Sequence, residues 1–418
     1  MSRPVPRGVL QPLPPPSPDR AQLWAESRGP LVERLRDEIL GGGPITFARF
    51  MELALYDPRD GYYAARPDEP ERGPRTAREG DFLTAPEMDP LFGQVLAGQL
   101  EECWERLDRP SAFTFCDDGA GTGALGLAVL DELRRRSAPV LDALRYLPLE
   151  ADPTREADAR ERLAVAGHGS RLLPLAARAD PLHGVLVANE LLDALPVHRL
   201  ERRDGHDLEI RVAWRDGWFA EVPGPPSDPR LFETLDASGV HLEDGQRAEV
   251  SLTALDWVAA LPARLARGYA LLIDYGGPAA TLYGGRHPEG LLRTYRAHHA
   301  GDDPFRAVGE QDLTAHVDTS ALERVARAAG LEVLGRTSQA EAMAGLGAGE
   351  ALVELGRRPD TDAARYQAAR GALLRLLDPA AMGRFQVLVL GRHVPLEPPL
   401  RALAYRLPRD TTTDARDA

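Results

Sequence analysis

The feature that most constrains the fold of this chain is an apolar run that ends in three glycines at alternate positions. The run Phe113-Thr114-Phe115-Cys116-Asp117-Asp118 is β-rich, and Gly119, Gly121 and Gly123 follow it. Leucine and valine then recur at helical spacing from Leu125 to Leu133. A strand, a glycine turn and a helix in this order present backbone N–H groups to a nucleotide-like ligand. Glycine lets the turn be tight and lets a ligand approach the backbone without an intervening Cβ.

Further apolar runs after this turn alternate with helical patterns. Strands are predicted over 144–149, 171–175, 185–188 and 269–273, with helical patterns between most of them. A late strand over 385–390 could close the sheet as a hairpin. Such alternation of strands and helices predicts a parallel sheet that is covered by helices on both faces.

The composition changes along the chain and predicts its organisation. Residues 1–29 are predicted as a disordered, proline-rich tail, and residues 66–80 as a mobile loop. Residues 30–108 are predicted as an N-terminal helical cap and residues 109–400 as the core. Insertions into that core are expected at about 199–245 and 278–312, and a C-terminal tail over 401–418.

Charge and cysteine content exclude several classes of function. The 418 residues carry a formal net charge of −14 with an isoelectric point of about 5.3, so no nucleic-acid partner is expected. Cys103 and Cys116, the two cysteines, cannot make a zinc site or a disulfide framework, and no metal is expected. No apolar run reaches transmembrane length and no signal peptide is evident, so no membrane insertion and a cytoplasmic location are expected.

An acidic residue at the end of the second predicted strand limits the cofactor to two classes. Glu150 follows the run over 144–149, and a carboxylate there can hydrogen-bond both ribose hydroxyls of an adenosine ligand. NAD fits, because the segment 121–126 satisfies the dinucleotide pattern. S-adenosylmethionine also fits, because Asp117, two residues before the first glycine, can receive its ammonium group. Asp117 favours S-adenosylmethionine over NAD, although both remain open at this point.

A second polar cluster follows the strand over 185–188. Asn189, Glu190 and Asp193 come where ligands bind in such sheets. The alternative is an ordinary helix N-terminus, where acidic residues favour the helix dipole. If the acceptor is a guanidinium, a carboxylate can bind its fork bidentately and hold one nitrogen in line with a methyl sulfonium.

Several motifs together resemble one known family. The chain resembles the MidA-type class I methyltransferases, whose mitochondrial members assist the assembly of respiratory complex I and methylate a protein arginine. The matching stretches follow the family's order over about residues 45–350 and comprise 47–51, 55–58, 61–63, 80–87, 92–93, 119–123, 189–198, 274–276 and 312–318.

The resemblance implies a fold, a reaction and a set of site residues. The fold is a Rossmann-like α/β fold with a seven-stranded, mostly parallel sheet, and the reaction is methyl transfer from S-adenosyl-L-methionine to a protein side-chain nitrogen such as that of arginine. Position by position, it implies cofactor contacts at Asp117, Gly119, Gly121, Gly123 and Glu150. It implies acceptor or catalytic roles for Asn189, Glu190 and Asp193, and closure of the pocket by Thr84, Pro86 and Glu87. A non-catalytic assembly factor with a bound nucleoside and an NAD-dependent oxidoreductase are the alternatives.

The chain departs from the family pattern at three positions. Asp117 and Asp118 stand where a glutamate followed by an apolar residue is usual, and the charge of Asp118 would be costly at the end of a buried strand unless it is paired or exposed. Thr319 stands where an aromatic residue is usual.

A few other residues have two interpretations each. Tyr62 and Tyr63 either face the ligand or belong to the core, Arg293 and Tyr295 either border the pocket or lie at the surface, and Asp274 either faces the site or makes a turn. His298, His299 and His316 lack spaced cysteine or carboxylate partners and are not expected to bind a metal.

Overall fold

The computed structural model describes residues 19–64, 84–285, 287–296 and 299–407. The part of the predicted tail before residue 19, the predicted mobile loop over 66–80, residues 81–83 of one family motif, His298 and the chain after residue 407 lie outside the described residues.

The helices and strands of the described residues have the following bounds. The helices are Arg20–Glu26 (α1), Gly29–Gly42 (α2), Phe47–Tyr56 (α3), Ala85–Met88 (α4), Leu91–Arg106 (α5), Ala124–Arg135 (α6), Val140–Ala143 (α7), Pro153–Leu163 (α8), Arg230–Asp236 (α9), Leu252–Arg264 (α10), Ala279–Leu282 (α11), Thr319–Ala328 (α12), Gln339–Gly345 (α13), Ala348–Arg357 (α14), Ala363–Leu377 (α15) and Arg401–Ala404 (α16). The strands are Ile45–Thr46 (β1), Phe113–Asp118 (β2), Leu144–Leu149 (β3), Leu182–Asn189 (β4), His198–Arg203 (β5), His206–Arg215 (β6), Trp218–Gly224 (β7), Arg247–Val250 (β8), Leu265–Asp274 (β9), Gly276–Gly277 (β10), Leu292–Arg296 (β11), His299–Gly301 (β12), Asp312–Ala315 (β13), Val317–Asp318 (β14), Glu332–Ser338 (β15) and Gln386–Arg392 (β16).

The main sheet has six strands in the order β15-β16-β9-β4-β2-β3. Strands β3, β2, β4 and β9 are parallel, whereas β16 runs antiparallel to both of its neighbours. The predicted strand over 171–175 is reduced to a single bridge between Tyr146 and Leu172. Pro174 has no N–H to donate to a ladder, and 3-10 turns lie on either side of the bridge. The main sheet therefore has six strands among the described residues, where seven were predicted.

Helices cover both faces of the main sheet, as predicted. Side chains alternate between the faces along each strand. Phe115 and Val187 pack in one apolar core with α5, α6 and the C-terminal helices α13 to α16. Cys116 and Leu186 pack in the opposite core, with α10 and α12. This arrangement leaves the carboxyl ends of β2, β3 and β4 as the edge at which polar residues meet.

A second sheet forms from the insertion predicted over 199–245. Its order is β1-β6-β5-β8, with β7 also paired to β6, and all of these pairings are antiparallel. Ile45 of the N-terminal segment lies opposite Val212. Helices α2 and α3 pack with this sheet through a core that contains Leu35, Phe50 and Phe219. The insertion therefore continues to Val250 at the end of β8 and shares a core with the N-terminal helices.

Three predicted domain boundaries differ from the structure. Residues 20–29 are not part of a tail, because α1 begins at Arg20, is capped by Asp19 and buries Leu23. Helix α5 belongs to the core of the main sheet rather than to a cap. The predicted C-terminal tail starts too early, since α16 at Arg401–Ala404 buries Ala402 and Leu403 in that same core.

The insertion predicted over 278–312 contributes a small antiparallel sheet. Strand β11 pairs with β12 and with β13, and in the second pairing Arg293 lies opposite Thr314 and Tyr295 lies opposite Asp312. The backbone N–H of Ala315 donates to the carbonyl of Asp193 at 2.9 Å. The small sheet is thereby attached to the turn that follows β4.

Candidate active site

A cavity of about 510 Å³ lies at the carboxyl ends of β2, β3 and β4. Its volume is within the range of roughly 300–1,000 Å³ that small-molecule sites occupy. All but one of the predicted site residues line it, namely Thr84, Pro86, Glu87, Asp117, Gly119, Gly121, Glu150, Asn189, Glu190 and Asp193. The exception is Gly123.

The glycine turn forms one wall of this cavity. Gly119 and Gly121 have φ angles of 81° and 54°, a region that favours glycine. The backbone N–H of Gly121 donates to Oε2 of Glu150 at 2.9 Å, so the turn is fixed to the end of β3. Gly123 precedes α6, and a Cβ on it would lie 3.2 Å from the Cβ of Ala159 in α8. Its position indicates a role in starting α6 and packing it on α8 rather than in lining the cavity.

Asp117 lies at the end of β2 with only 2% of its surface exposed. The Tyr146 hydroxyl donates to its Oδ2 at 2.8 Å. Burial raises the pKa of Asp117 to about 7, against the lowering effect of the Tyr146 hydrogen bond, and the charges of Asp118 and Glu150 raise it further. Gly126 makes room for the Tyr146 ring, because a Cβ at that position would lie 2.2 Å from the hydroxyl oxygen. Asp117 is thus a buried carboxyl beside the glycine turn that favours a cationic partner.

Asp118 lies on the face of β2 opposite to that of Asp117, and its carboxylate forms an ion pair. Its Oδ2 lies 2.7 Å from a guanidinium nitrogen of Arg264 and accepts a hydrogen bond from the Trp257 indole at 3.2 Å. Arg264 also lies over the Trp257 ring, 5.6 Å from its centroid. The unusual residue at this position is therefore accommodated by an ion pair from α10.

The short helix α4 is tied to the glycine turn by Glu87. One oxygen of this carboxylate accepts from the Thr84 hydroxyl at 3.2 Å and the other from the Thr122 hydroxyl at 3.1 Å. Thr84, Pro86 and Glu87 together form the wall of the cavity that comes from the N-terminal segment.

Glu190 follows β4 in a strained backbone conformation, with a φ of 52°. Its Oε1 accepts hydrogen bonds from the Ala85 N–H at 2.9 Å and from the Asn189 side-chain amide at 3.0 Å. Among the described residues, neither Oε2 of Glu190 nor Oδ1 of Asn189 has a hydrogen-bond partner, although both atoms are buried. Burial is the largest cause that raises the pKa of Glu190 to about 8, and the charges of Asp274 and Glu87 add to it. Such a carboxyl would readily accept a hydrogen-bond donor with positive charge.

Asp274 supports the turn that carries Asp193. Its Oδ2 accepts from the backbone N–H groups of Leu192 at 2.7 Å and of Asp193 at 3.3 Å, and its Oδ1 accepts from that of Tyr275 at 2.8 Å. Burial raises the pKa of Asp274 to about 6, and these donors limit that rise, whereas burial and the Asp274 charge raise the pKa of Asp193 well above its usual range. Asp193 therefore holds the proton of this pair, and Asp274 is the carboxylate that builds the turn.

The far end of the cavity contains residues that the motifs did not identify as site residues. Tyr56 and Tyr63 line it, with their hydroxyls donating to the Ala194 carbonyl at 3.0 Å and to Oδ1 of Asp312 at 2.9 Å. Tyr62 instead is buried in the core of the second sheet. Tyr63 and Asp312 both stand in stretches that resemble the family, at 61–63 and 312–318, but they are 249 residues apart and no local pattern predicts that they pair.

Two further findings concern metals and membranes. In the ranges that the structure describes, no three histidine, cysteine or carboxylate side chains are grouped as a metal site. Within those same ranges, every helix is too short or too polar to cross a membrane.

Comparisons with known proteins agree with this geometry. Residues 95–337, more than half of the chain, match a family model described as "Putative S-adenosyl-L-methionine-dependent methyltransferase". The chain is 30% identical over 348 residues to "Protein arginine methyltransferase NDUFAF7 homolog, mitochondrial" of Drosophila melanogaster, covering 76% of this chain and 75% of that protein. It is 27% identical over 401 residues to the Homo sapiens protein arginine methyltransferase NDUFAF7, covering 88% of this chain and 85% of that protein.

A solved structure is similar over almost the whole chain. It is a crystal structure from Burkholderia thailandensis bound to S-adenosyl-homocysteine, with a TM-score of 0.81 and 33% sequence identity. The similarity covers 96% of this chain and 100% of that one.

The fold, the cavity and these similarities define an enzyme that transfers a methyl group. The chain belongs to the family of S-adenosyl-L-methionine-dependent methyltransferases that the matching family model describes. The predicted family, enzyme class and cofactor are confirmed, and neither the NAD-dependent nor the non-catalytic alternative is supported. The predicted cytoplasmic location is wrong, because the fruit-fly and human relatives are named as mitochondrial proteins.

Proposed function

We propose that this methyltransferase modifies a nitrogen of a protein arginine, and that Glu190 orients the guanidinium. The observation that carries the proposal is the difference in hydrogen bonding between the two oxygens of the Glu190 carboxyl. One oxygen is held by Ala85 and Asn189, while the other is buried in the cavity wall without a partner among the described residues. A guanidinium nitrogen would satisfy that oxygen with a charge-assisted hydrogen bond. The names of the fruit-fly and human relatives support arginine as the target of this chain.

The cofactor would be held by the residues around the glycine turn. Asp117 would receive the ammonium group of S-adenosyl-L-methionine, and Glu150 the ribose hydroxyls. The backbone at Gly119 and Gly121 would lie against the methionine moiety. A Cβ at Gly119 would lie 3.1 Å from Leu191 and on a backbone with positive φ, which supports a requirement for glycine there.

The N-terminal wall would close over the bound cofactor. Glu87 joins Thr84 to Thr122 of the glycine turn, so α4 and the turn would move together. Pro86 adds an apolar surface to the same wall. Closure excludes water, which strengthens the interaction of Glu190 with a cation.

The acceptor residues would act by position and charge. When bound, S-adenosyl-L-methionine supplies a methyl group on a positively charged sulfur. Glu190 would offset the repulsion between that charge and the guanidinium, and would take the proton that the methylated nitrogen loses. A carboxyl whose pKa is near 8 in the protein alone is a suitable proton acceptor near neutral pH. Asn189 would fix the Glu190 carboxyl, and Asp193 would donate a hydrogen bond to Asp274 as the protonated partner of that pair.

Mass spectrometry of proteins from cells with and without this chain tests the target. We expect added methyl groups on arginine only where the chain is present. The Glu190→Gln variant should bind S-adenosyl-homocysteine but lose methyl transfer by about 10²–10³-fold, since one charged hydrogen-bonding group at the reacting centre is removed. Glu161→Gln, a change at an exposed glutamate of α8, is the matched control. Methylation confined to lysine, or full activity of Glu190→Gln, would contradict the proposal.

A further inference from the structure

A group of basic side chains lies on and around the small sheet, whose strand β13 contributes Asp312 and Thr314 to the cavity wall. We call His287, Arg293, His316 and Arg384 the basic patch. The ring centroids of His287 and His316 are 6.4 Å apart, and the His316 ring lies 4.0 Å from that of Tyr275. The guanidinium carbon of Arg384 lies 4.6 Å from the Tyr275 ring centroid. His316 and Arg384, from separate segments of the chain, therefore meet at Tyr275, and His287 lies next to His316.

The charges of the basic patch are close together. Burial, followed by the charges of Arg293, His287 and Arg384, lowers the pKa of His316 to about 3. His316 is therefore neutral near pH 7, and the fixed positive charges of the patch are those of the two arginines.

Neither arginine of the basic patch has an acidic partner within the described ranges. Arg293 donates to the carbonyl of Leu292 at 2.7 Å, and Arg384 stacks on Tyr275. Two of the arginines that line the cavity, Arg178 and Arg264, are in contrast paired with Glu156 and Asp118. The guanidinium groups of Arg293 and Arg384 therefore keep a positive charge that no carboxylate of the described residues neutralises.

The basic patch continues the wall of the cavity. In the β11–β13 pair, Arg293 lies opposite Thr314 and Tyr295 opposite Asp312, so all four belong to one face of the small sheet. Asp312 and Thr314 line the cavity. The step from Asp312 to Thr314 is about 7 Å along the strand. The face thus changes from acidic inside the cavity to basic just beyond it.

We infer that the basic patch binds acidic side chains of the protein substrate, about two to four residues from the arginine that enters the cavity. The inference rests on the proposed function, because it needs a peptide whose arginine reaches Glu190. An extended peptide advances about 3.3 Å per residue, so side chains two to four residues from the arginine lie about 7–13 Å from it along the peptide. Guanidinium forks bind carboxylates bidentately, and the same charges would repel a peptide rich in lysine and arginine.

Synthetic peptides with one central arginine test the inference. In one set, aspartates occupy the second to fourth positions before or after the arginine, and in the matched set asparagines replace them. We expect the acidic set to have a KM about three- to tenfold lower with a similar kcat, because each exposed ion pair contributes modestly. The Arg293→Gln/Arg384→Gln double variant should lose this preference. Arg370→Gln, at an exposed arginine of α15 that donates to the Gln367 side chain, should keep it.

Two results would overturn the inference. One is an equal preference for acidic peptides in the wild type and the double variant. The other is that the wild type binds vesicles containing anionic phospholipid and the double variant does not, while both prefer the same peptides. That result would assign the patch to a membrane surface. If no peptide is methylated, the proposed function fails. Peptide binding in the presence of S-adenosyl-homocysteine, measured by fluorescence anisotropy, still decides whether the patch prefers acidic peptides.

Discussion

The carboxylate of Glu190 accepts a hydrogen bond at 2.9 Å from the backbone N–H of Ala85, 105 residues earlier in the chain. This bond joins the turn after β4 to the first residue of α4. Glu87 in the same short helix is bonded to Thr122 of the glycine turn. Glu190 and the glycine turn are therefore linked through one short helix.

The pKa of Asp117 predicts how cofactor binding depends on pH. In the protein alone this pKa is about 7, so below pH 7 the carboxyl is largely protonated and must lose its proton to bind an ammonium group. The amino group of the cofactor stays protonated there, since such groups have a pKa of about 7.7–8.0. The affinity for S-adenosyl-L-methionine should rise up to about tenfold per unit between pH 5.5 and 7, as measured by calorimetry.

The Asp117→Asn variant provides the comparison. It should bind the cofactor about 10–100-fold more weakly at pH 7, because a hydrogen bond between charged groups contributes about 1.5–3 kcal/mol. Its affinity should not change with pH over that range. Asp158→Asn, at an exposed position of α8, should follow the wild type. A pH-dependent affinity in Asp117→Asn would assign the titration to another group.

Glu190 should reduce stability at high pH. Its ordinary pKa is 4.5, and burial raises it to about 8 in the folded protein. The unfolded chain ionises first, so the free energy of unfolding falls as the pH rises from about 4.5 to 8. Glu190→Gln should therefore gain about 2–4 kcal/mol at pH 8 and little at pH 4 in urea unfolding. Equal effects at the two pH values would show that ionisation of Glu190 carries no cost, and Glu161→Gln is the control.

Gly126→Ala should destabilise the protein, although alanine is normally the better residue in a helix. A Cβ at Gly126 would lie 2.2 Å from the Tyr146 hydroxyl, and the ring has to move or α6 has to shift. The overpacking should cost about 1–3 kcal/mol and weaken cofactor binding, because Tyr146 holds Asp117. Gly371→Ala in α15 has open space at its Cβ and should instead stabilise by about 0.5–1 kcal/mol. Thermal unfolding of both variants gives the comparison, and equal shifts would contradict it.

Asp274→Asn should slow methyl transfer while leaving cofactor binding within about threefold. Asparagine has one acceptor oxygen where Asp274 uses two, so part of the support for the turn of Leu192 and Asp193 is lost. A small misplacement in an active site costs about 10²-fold in rate. Asp318→Ala removes two backbone contacts at the start of α12, at a residue that does not line the cavity. If both variants lose the same activity at equal stability, Asp274 has no special role in positioning.

The glycine turn and the acidic residues could be predicted because the information is local. Asp117 and Glu150 each end an apolar run, and a parallel sheet brings such ends together. Asn189, Glu190 and Asp193 were found for the same reason. Ten of the positions predicted for the site do line one cavity, although their individual roles stay predictions.

The remaining features depend on contacts between distant segments. Tyr63 meets Asp312 across 249 residues, and the pairing of Asp118 with Arg264 comes from a helix on the other face of the sheet. Gly123 looked like a third ligand-facing glycine, but its place is fixed by how α6 packs on α8. No local pattern distinguishes a glycine that faces a ligand from one that faces a neighbouring helix.

The order of the main sheet has a consequence for biosynthesis. Strand β16 is the last strand of the described residues, yet it lies between β9 and β15. A nascent chain that has not yet released residues 386–392 from the ribosome leaves an open edge on β9 and no partner for β15. The main sheet therefore becomes complete only after β16 has been translated, more than 110 residues after β9, and its earlier strands have to be kept from aggregating until then.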